Sequence, residues 1–96
     1  MKIRNVIHKG LRRFIERNEP AAFPPASVEK VRNIITFLLE MGDVQELRDF
    51  PHWNAHQLIG DRKGTWSLNV TRNWRITFSA DQGKGEISDL DFEDYH

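Results

Sequence analysis

Few side chains in this 96-residue chain are suited to acid, base or ligand chemistry. There are four histidines, at positions 8, 52, 56 and 96, and no cysteine. Imidazole is therefore the group that titrates near neutral pH, and thiolate metal sites and disulfides are excluded. His52 and His56 are four apart, the spacing of two ligands on one helix face. Pro51, Trp53 and Asn54 instead read as a loop, so no metal is expected there, and His52 reads as a partly exposed loop residue. His56 taken alone reads as a structural histidine, and His8 as a surface one. Asp91 and Glu93 resemble a metal carboxylate pair, but acidic residues on an exposed strand edge account for them as well.

Arg75 is the more telling side chain. Trp66, Leu68 and Val70 alternate with Thr65, Ser67 and Asn69, and Trp74, Ile76 and Phe78 alternate with Asn73, Arg75 and Thr77. Period-two alternation predicts two strands, with Thr71 to Asn73 turning the chain between them. The apolar set must face other elements, which makes Trp66 and Trp74 core residues rather than base-stacking platforms. Ser67, Asn69, Arg75 and Thr77 then face the opposite, open side of the sheet. Such a face can take an anion. It can equally be an ordinary solvated face, with Arg75 paired to Asp89, Asp91 or Asp94, and alternation alone favours that reading.

The elements that must position this face are legible from periodicity. Residues 2–6 alternate as a short strand. Ile7, Leu11, Phe14 and Ile15 form one helical stripe, with Arg12, Arg13 and Arg17 on the other side. Pro20, Pro24 and Pro25 place a loop over 18–25, and Ser27 is a candidate cap for a second helix. The buried face of that helix is Val28, Val31, Ile35, Leu38 and Leu39, widened by Ile34 and Phe37, and Gly42 is its expected end. Asp43 with Glu46 is a capping-box pattern for a short third helix holding Val44 and Leu47. Asp81 to Gly85 is a turn, and Ile87 to Phe92 the last strand. The order βα(α)ββββ predicts one α+β domain over residues 1–96, with the helices on one face of an antiparallel sheet.

Composition narrows the classes. Apolar residues at 39% and charged residues at 29% are globular values. No apolar run is long enough for a membrane span or signal peptide, so a cytoplasmic protein without a membrane partner is expected. The 14 basic and 14 acidic residues cancel, but residues 1–40 carry 8 basic against 4 acidic and residues 41–96 carry 6 against 10. The overall field attracts nucleic acid weakly, so any RNA site must be a local patch.

One stretch is distinctive. Gly64-Thr65-Trp66-Ser67-Leu68-Asn69-Val70-Thr71-Arg72-Asn73-Trp74-Arg75-Ile76-Thr77-Phe78 resembles the G-x-W-S-x-x-V-x-x-N-W-R-I-T-F signature of the HigB killer proteins of the RelE superfamily. Residues 8–15 resemble the start of that family's first helix, His56 to Arg62 its H-P-L-K-G-D-R segment, and Glu93-Asp94-Tyr95-His96 its terminal E-D-Y-H. The resemblance spans nearly the whole chain. It implies a microbial RNase fold and metal-independent, ribosome-dependent cleavage of mRNA in the A site, by a toxin whose partner is a HigA-type helix-turn-helix antitoxin. The catalytic residues it implies are His56, Arg75, Asp94, Tyr95 and His96. Two positions depart from the family: Gln57 replaces proline, and Ile59 stands where the family often has lysine. The second departure removes a cation, for which Arg62 or Lys63 could substitute. It also motivates an alternative, a catalytically weakened module that binds antitoxin and ribosome.

RNA carries its own nucleophile, the 2′-hydroxyl. Cleavage needs that hydroxyl deprotonated, charge on the phosphorane neutralised and the departing 5′-oxygen protonated. Histidine suits the proton transfers and arginine the phosphorane, so no cofactor is required. Arg75 is assigned to the phosphorane, and His56 and His96 are the acid and base candidates. Asp94 is a base or the group that orients a histidine, and Tyr95 stacks on a base or donates a proton. The α-carboxylate of His96 would favour its imidazolium, and hence an acid role. Arg62, Lys63 and Arg72 are expected to hold RNA phosphates.

Overall fold

The computed structural model describes residues 1–94, so Tyr95 and His96 lie outside the described residues. Five strands form one sheet in the order β1-β5-β4-β3-β2: β1 (Lys2–Ile3), β2 (His56–Gln57), β3 (Trp66–Asn69), β4 (Trp74–Asp81) and β5 (Glu86–Asp94). The sheet is antiparallel except for β1, which runs parallel to β5. Two helices, α1 (Lys9–Arg17) and α2 (Val28–Glu40), supply Leu11, Phe14, Val31, Ile34 and Leu38 to a core shared with Trp66, Leu68, Ile76, Phe78, Leu90 and Phe92. An α+β sandwich therefore stands, with β1 shorter than expected. Beyond Ile3 the chain follows β5 less regularly, through a bridge from Val6 to Leu90 and backbone hydrogen bonds from Arg4 to Ile87, Ile7 to Leu90 and Leu90 to Asn5.

Several local expectations change. Ile7 lies before α1 and is 56% exposed. His8, expected at the surface, caps α1: its Nδ1 accepts from the Leu11 amide at 3.0 Å, and its ring meets Phe23 and Phe92. Ser27 precedes α2 without capping it, because its hydroxyl donates to the Pro24 carbonyl at 2.9 Å instead. Helix α2 stops at Glu40 because Met41 turns extended at φ −65°, ψ 144°, so Gly42 is not its terminator. Leu39 is 48% exposed. The capping box forms as expected. Asp43 accepts from the Gln45 amide at 2.8 Å, and Glu46 accepts from the Asp43 amide at 2.8 Å. It opens a 3-10 turn over Val44–Asp49 that buries Val44 and Leu47.

The feature of β5 that matters for the site is a bulge. Thr77 pairs with Asp91 but Ser79 pairs with Ser88, so Asp89 and Leu90 together oppose Phe78. Asp89 sits in the left-handed region at φ 54°. Asn5 clasps it, its amide group donating to the Asp89 carboxylate at 3.0 Å and its carbonyl oxygen accepting from the Asp89 amide at 2.9 Å. The extra residue resets the alternation. Ile87 faces the core before it, Leu90 and Phe92 face the core after it, and Asp91 and Glu93 are thereby turned to the opposite face.

Candidate active site

Register places the polar residues of four strands on the side of the sheet away from the helices. His56 pairs with Ser67, Ser67 with Thr77, and Thr77 with Asp91, forming one row across the sheet. Asn69, Arg75 and Glu93 form the next row. Strands spaced about 4.8 Å apart and a two-residue step of about 6.8 Å put the Cα atoms of His56 and Arg75 about 12 Å apart. A nucleotide can lie between side chains projecting from those two positions.

Local structure orients His56. Phe50 and Trp53 stack with ring centroids 4.4 Å apart, and Trp53 is buried. This anchors a 3-10 turn over Pro51–Trp53 that ends on Asn54 in the left-handed region at φ 48°. The Asn54 carbonyl lies 2.7 Å from Nδ1 of His56. A carbonyl only accepts, so Nδ1 holds a proton, and in the neutral ring Nε2 is the nitrogen with the lone pair. His52 lies in the 3-10 turn and His56 in β2, so no helix face holds both. Among the described residues no three His, Asp or Glu side chains gather at metal-ligand spacing.

The face is not simply solvated. Ser67 and Thr77 are 0% and 1% exposed, and the Arg75 side chain is 16% exposed. The organising group is Glu93. Its Oε1 accepts from Nη1 of Arg62 at 2.7 Å and its Oε2 from Nη2 at 2.6 Å, a fork-to-carboxylate pair. Nη2 of Arg75 lies 3.6 Å from Oε1, and the Thr77 hydroxyl donates to Oε2. The Arg62 hydrogen bonds, the Thr77 hydroxyl and the Arg75 charge hold the Glu93 carboxyl down to about 2, against the opposing effect of burial. The same pairing raises the Arg62 guanidinium above its ordinary value.

The other expected site residues are spread around this centre. Lys63 and Arg72 are exposed, on the β2–β3 connection and in the β3–β4 turn. Asp94 is exposed at the end of β5, opposite Trp74 in register. Alternation therefore assigns it to the face opposite Glu93 at this point of the strand. Tyr95 and His96 fall outside the described residues. Ile59 is 91% exposed. Arg75 pairs with Glu93, a partner that alternation along the sequence does not suggest. Glu93 does lie on a locally open edge, because β1 pairs with β5 only at Glu86 and Ile87 and Val6 bridges it at Leu90, but its carboxylate also reaches Arg75 on the β4 side. The signal for it is the cross-strand pairing of opposite charges, readable only once the bulge sets the register.

The surface on this side is shallow. A hollow of about 220 Å³ beside Glu93 is lined by Ile7, Arg62, Thr65, Ser79 and Asp91 among others, smaller than the roughly 300 Å³ of an ordinary small-molecule pocket. This side of the sheet is a surface of directed side chains rather than a cavity.

Residues 4–96 match the family model of HigB-like toxins, described as RelE-like toxin of type II toxin-antitoxin system HigB. The chain is 34% identical over 94 residues to the Endoribonuclease HigB of Proteus vulgaris, covering 98% of this chain and 99% of that one. A YoeB/ParE toxin from Agrobacterium tumefaciens shares the fold, with a TM-score of 0.54 at 18% identity over 97% of this chain and 93% of that one. The chain belongs to the HigB-like family, the RelE-like toxins of type II toxin–antitoxin systems.

Proposed function

We propose that this protein is an endoribonuclease that arrests translation by cutting mRNA in the ribosomal A site, through attack of the 2′-hydroxyl on the adjacent phosphate and without a metal. The observation that carries the reading is the shared face. His56 and Arg75 occupy neighbouring rows of one polar sheet surface, in a chain whose Proteus vulgaris relative is an endoribonuclease. His56, with its lone pair on Nε2, takes the proton from the 2′-hydroxyl. Arg75 donates to the phosphorane oxygens as their charge grows. Protonation of the 5′-oxygen falls to the terminal segment, with His96 as the acid, Tyr95 stacking on a base, and Asp94, on the other side of β5 from Glu93, orienting the histidine rather than meeting the RNA. Lys63 and Arg72, both exposed, hold flanking phosphates, which makes binding weaken as salt is added.

The partner is a HigA-type helix-turn-helix antitoxin, and the site of action is the cytoplasm. No helix among the described residues is long and apolar enough to cross a membrane. The test is cleavage of mRNA on programmed ribosomes, with the chemical ends of the products identified. The expected products are a 2′,3′-cyclic phosphate end and a 5′-hydroxyl end, and both disappear when His96 is deleted. Products with 3′-hydroxyl and 5′-phosphate ends would replace this mechanism with a metal-assisted one. A folded protein that binds antitoxin and ribosome but cuts nothing would instead support the weakened-module reading, which the exposed Ile59 favours.

A further inference from the structure

We propose that Glu93 is a positioning residue of the cleavage reaction: its carboxylate sets the Arg62 and Arg75 guanidiniums side by side as a two-cation cradle for the scissile phosphate. The inference rests on the reading of Arg75 as the phosphorane ligand and extends it to a second cation and to the group that holds both. Three residues bring donors to two oxygen atoms. Arg62 contributes both arms of its fork at 2.7 and 2.6 Å, Arg75 approaches to 3.6 Å, and Thr77 donates from the sheet below.

Arg62 most needs such a hold. It ends a short 3-10 turn, Gly60–Arg62, whose backbone is closed by Lys63 to Gly60 and Thr65 to Arg62 hydrogen bonds and flanked by Gly60 at φ 77° and Gly64 at φ 92°, each with open space where a Cβ would stand. Its side chain is 44% exposed. Without Glu93 the turn has little to fix the direction of its cation, and two neighbouring guanidiniums repel each other. With Glu93 in place the repulsion is cancelled. Only two of the five N–H donors on Arg62 are used by the fork, so the others remain to meet an anion. This also supplies a cation on the connection where Ile59 offers none.

The carboxylate is fixed by four approaches and half-covered by its neighbours, so it acts as scaffold and not as a stand-in that RNA must expel. Glu93→Gln keeps the shape but removes the charge and one acceptor. It is expected to lower kcat for mRNA cleavage by about 10- to 100-fold, the order that a misplaced reacting group costs, with KM changed far less. Glu93→Asp, which keeps the charge on a shorter stem, is expected to recover part of kcat. Measured per folded molecule, unchanged kcat in Glu93→Gln would overturn the proposal, as would tighter RNA binding with full turnover, which would mark Glu93 as a competitor of phosphate. Arg75→Ala run in parallel separates the two levels. If it abolishes cleavage while Glu93→Gln does not, only the positioning role fails. If neither matters, or the unaltered protein does not cut, the phosphorane assignment falls and this proposal with it.

Discussion

Replacing Arg75 by alanine separates catalysis from folding in a way the surrounding geometry makes quantitative. Glu93 gives up one ion pair at 3.6 Å, longer than a hydrogen bond and of a kind worth about 0–1 kcal/mol at a partly exposed site. Its carboxylate is not left bare, since the Arg62 fork and the Thr77 hydroxyl still satisfy both oxygens. Adding the packing of the aliphatic stem, the fold should weaken by about 1–2 kcal/mol, within the range of ordinary single substitutions. The barrier to cleavage should rise more, because loss of a donor to a developing oxyanion costs about 10²–10³ in rate, roughly 2.7–4 kcal/mol. Arg75→Lys should restore the charge and recover only part of the rate, since an ammonium lacks the planar fork. The assay is single-turnover cleavage on programmed ribosomes, with the folded fraction measured by circular dichroism under the same conditions. An Arg75→Ala protein that is folded and cuts within about threefold of the unaltered one, a barrier change below about 1 kcal/mol, would refute the assignment.

Other outcomes follow from the fold. Asn5→Ala removes both hydrogen bonds of the clasp on the bulge and should cost about 1–2 kcal/mol in urea unfolding. Asp89→Gly should be near neutral, because relief of the left-handed backbone offsets the one side-chain bond removed. The reverse order of the two variants would show that the bulge is not held this way. Gly10→Ala should destabilise by about 1–3 kcal/mol despite alanine's better helix propensity, because a Cβ there would meet the Ala22 Cβ at 2.2 Å; equal or higher Tm would mean that the 18–25 loop moves aside freely. The Glu93 carboxyl is held at about 2 against an ordinary 4.5. Its contribution to stability is therefore complete above pH 4.5 and is lost as pH falls toward 2. Glu93→Gln should flatten the acid limb of the stability curve over that interval, and an unchanged limb would show that other carboxylates govern it.

What could be read from the chain and what could not divide along a physical line. The β3–β4 hairpin and the face carrying Arg75 follow from strict alternation, because each strand there has one apolar and one polar side. Helix α2 follows from its stripe, with Val31, Ile35 and Leu38 buried as expected. Properties set by neighbours distant in sequence do not follow. Ser27 reads as a cap, yet a closer carbonyl takes its hydroxyl. His8 reads as a surface residue, yet the turn behind it makes it the cap of α1.

Glu93 shows the limit most clearly. Counted in steps of two from Ile87, a buried residue, positions 89, 91 and 93 all belong to the core side, which a run of carboxylates contradicts. Counted back from Phe92, Glu93 belongs to the open side. Both counts are right for their own half of β5, and Asp89 at φ 54° is the residue between them. A single left-handed aspartate, clasped by an asparagine 84 positions away, therefore decides whether the carboxylate that gathers Arg62 and Arg75 lies with them or on the opposite side of the sheet. The balance of charge has the same origin. The cations of this face are matched locally by Glu93, so a net charge of zero is compatible with an anion-binding surface. The cost falls on long-range steering, which is least needed if, as proposed, a ribosome already holds the RNA.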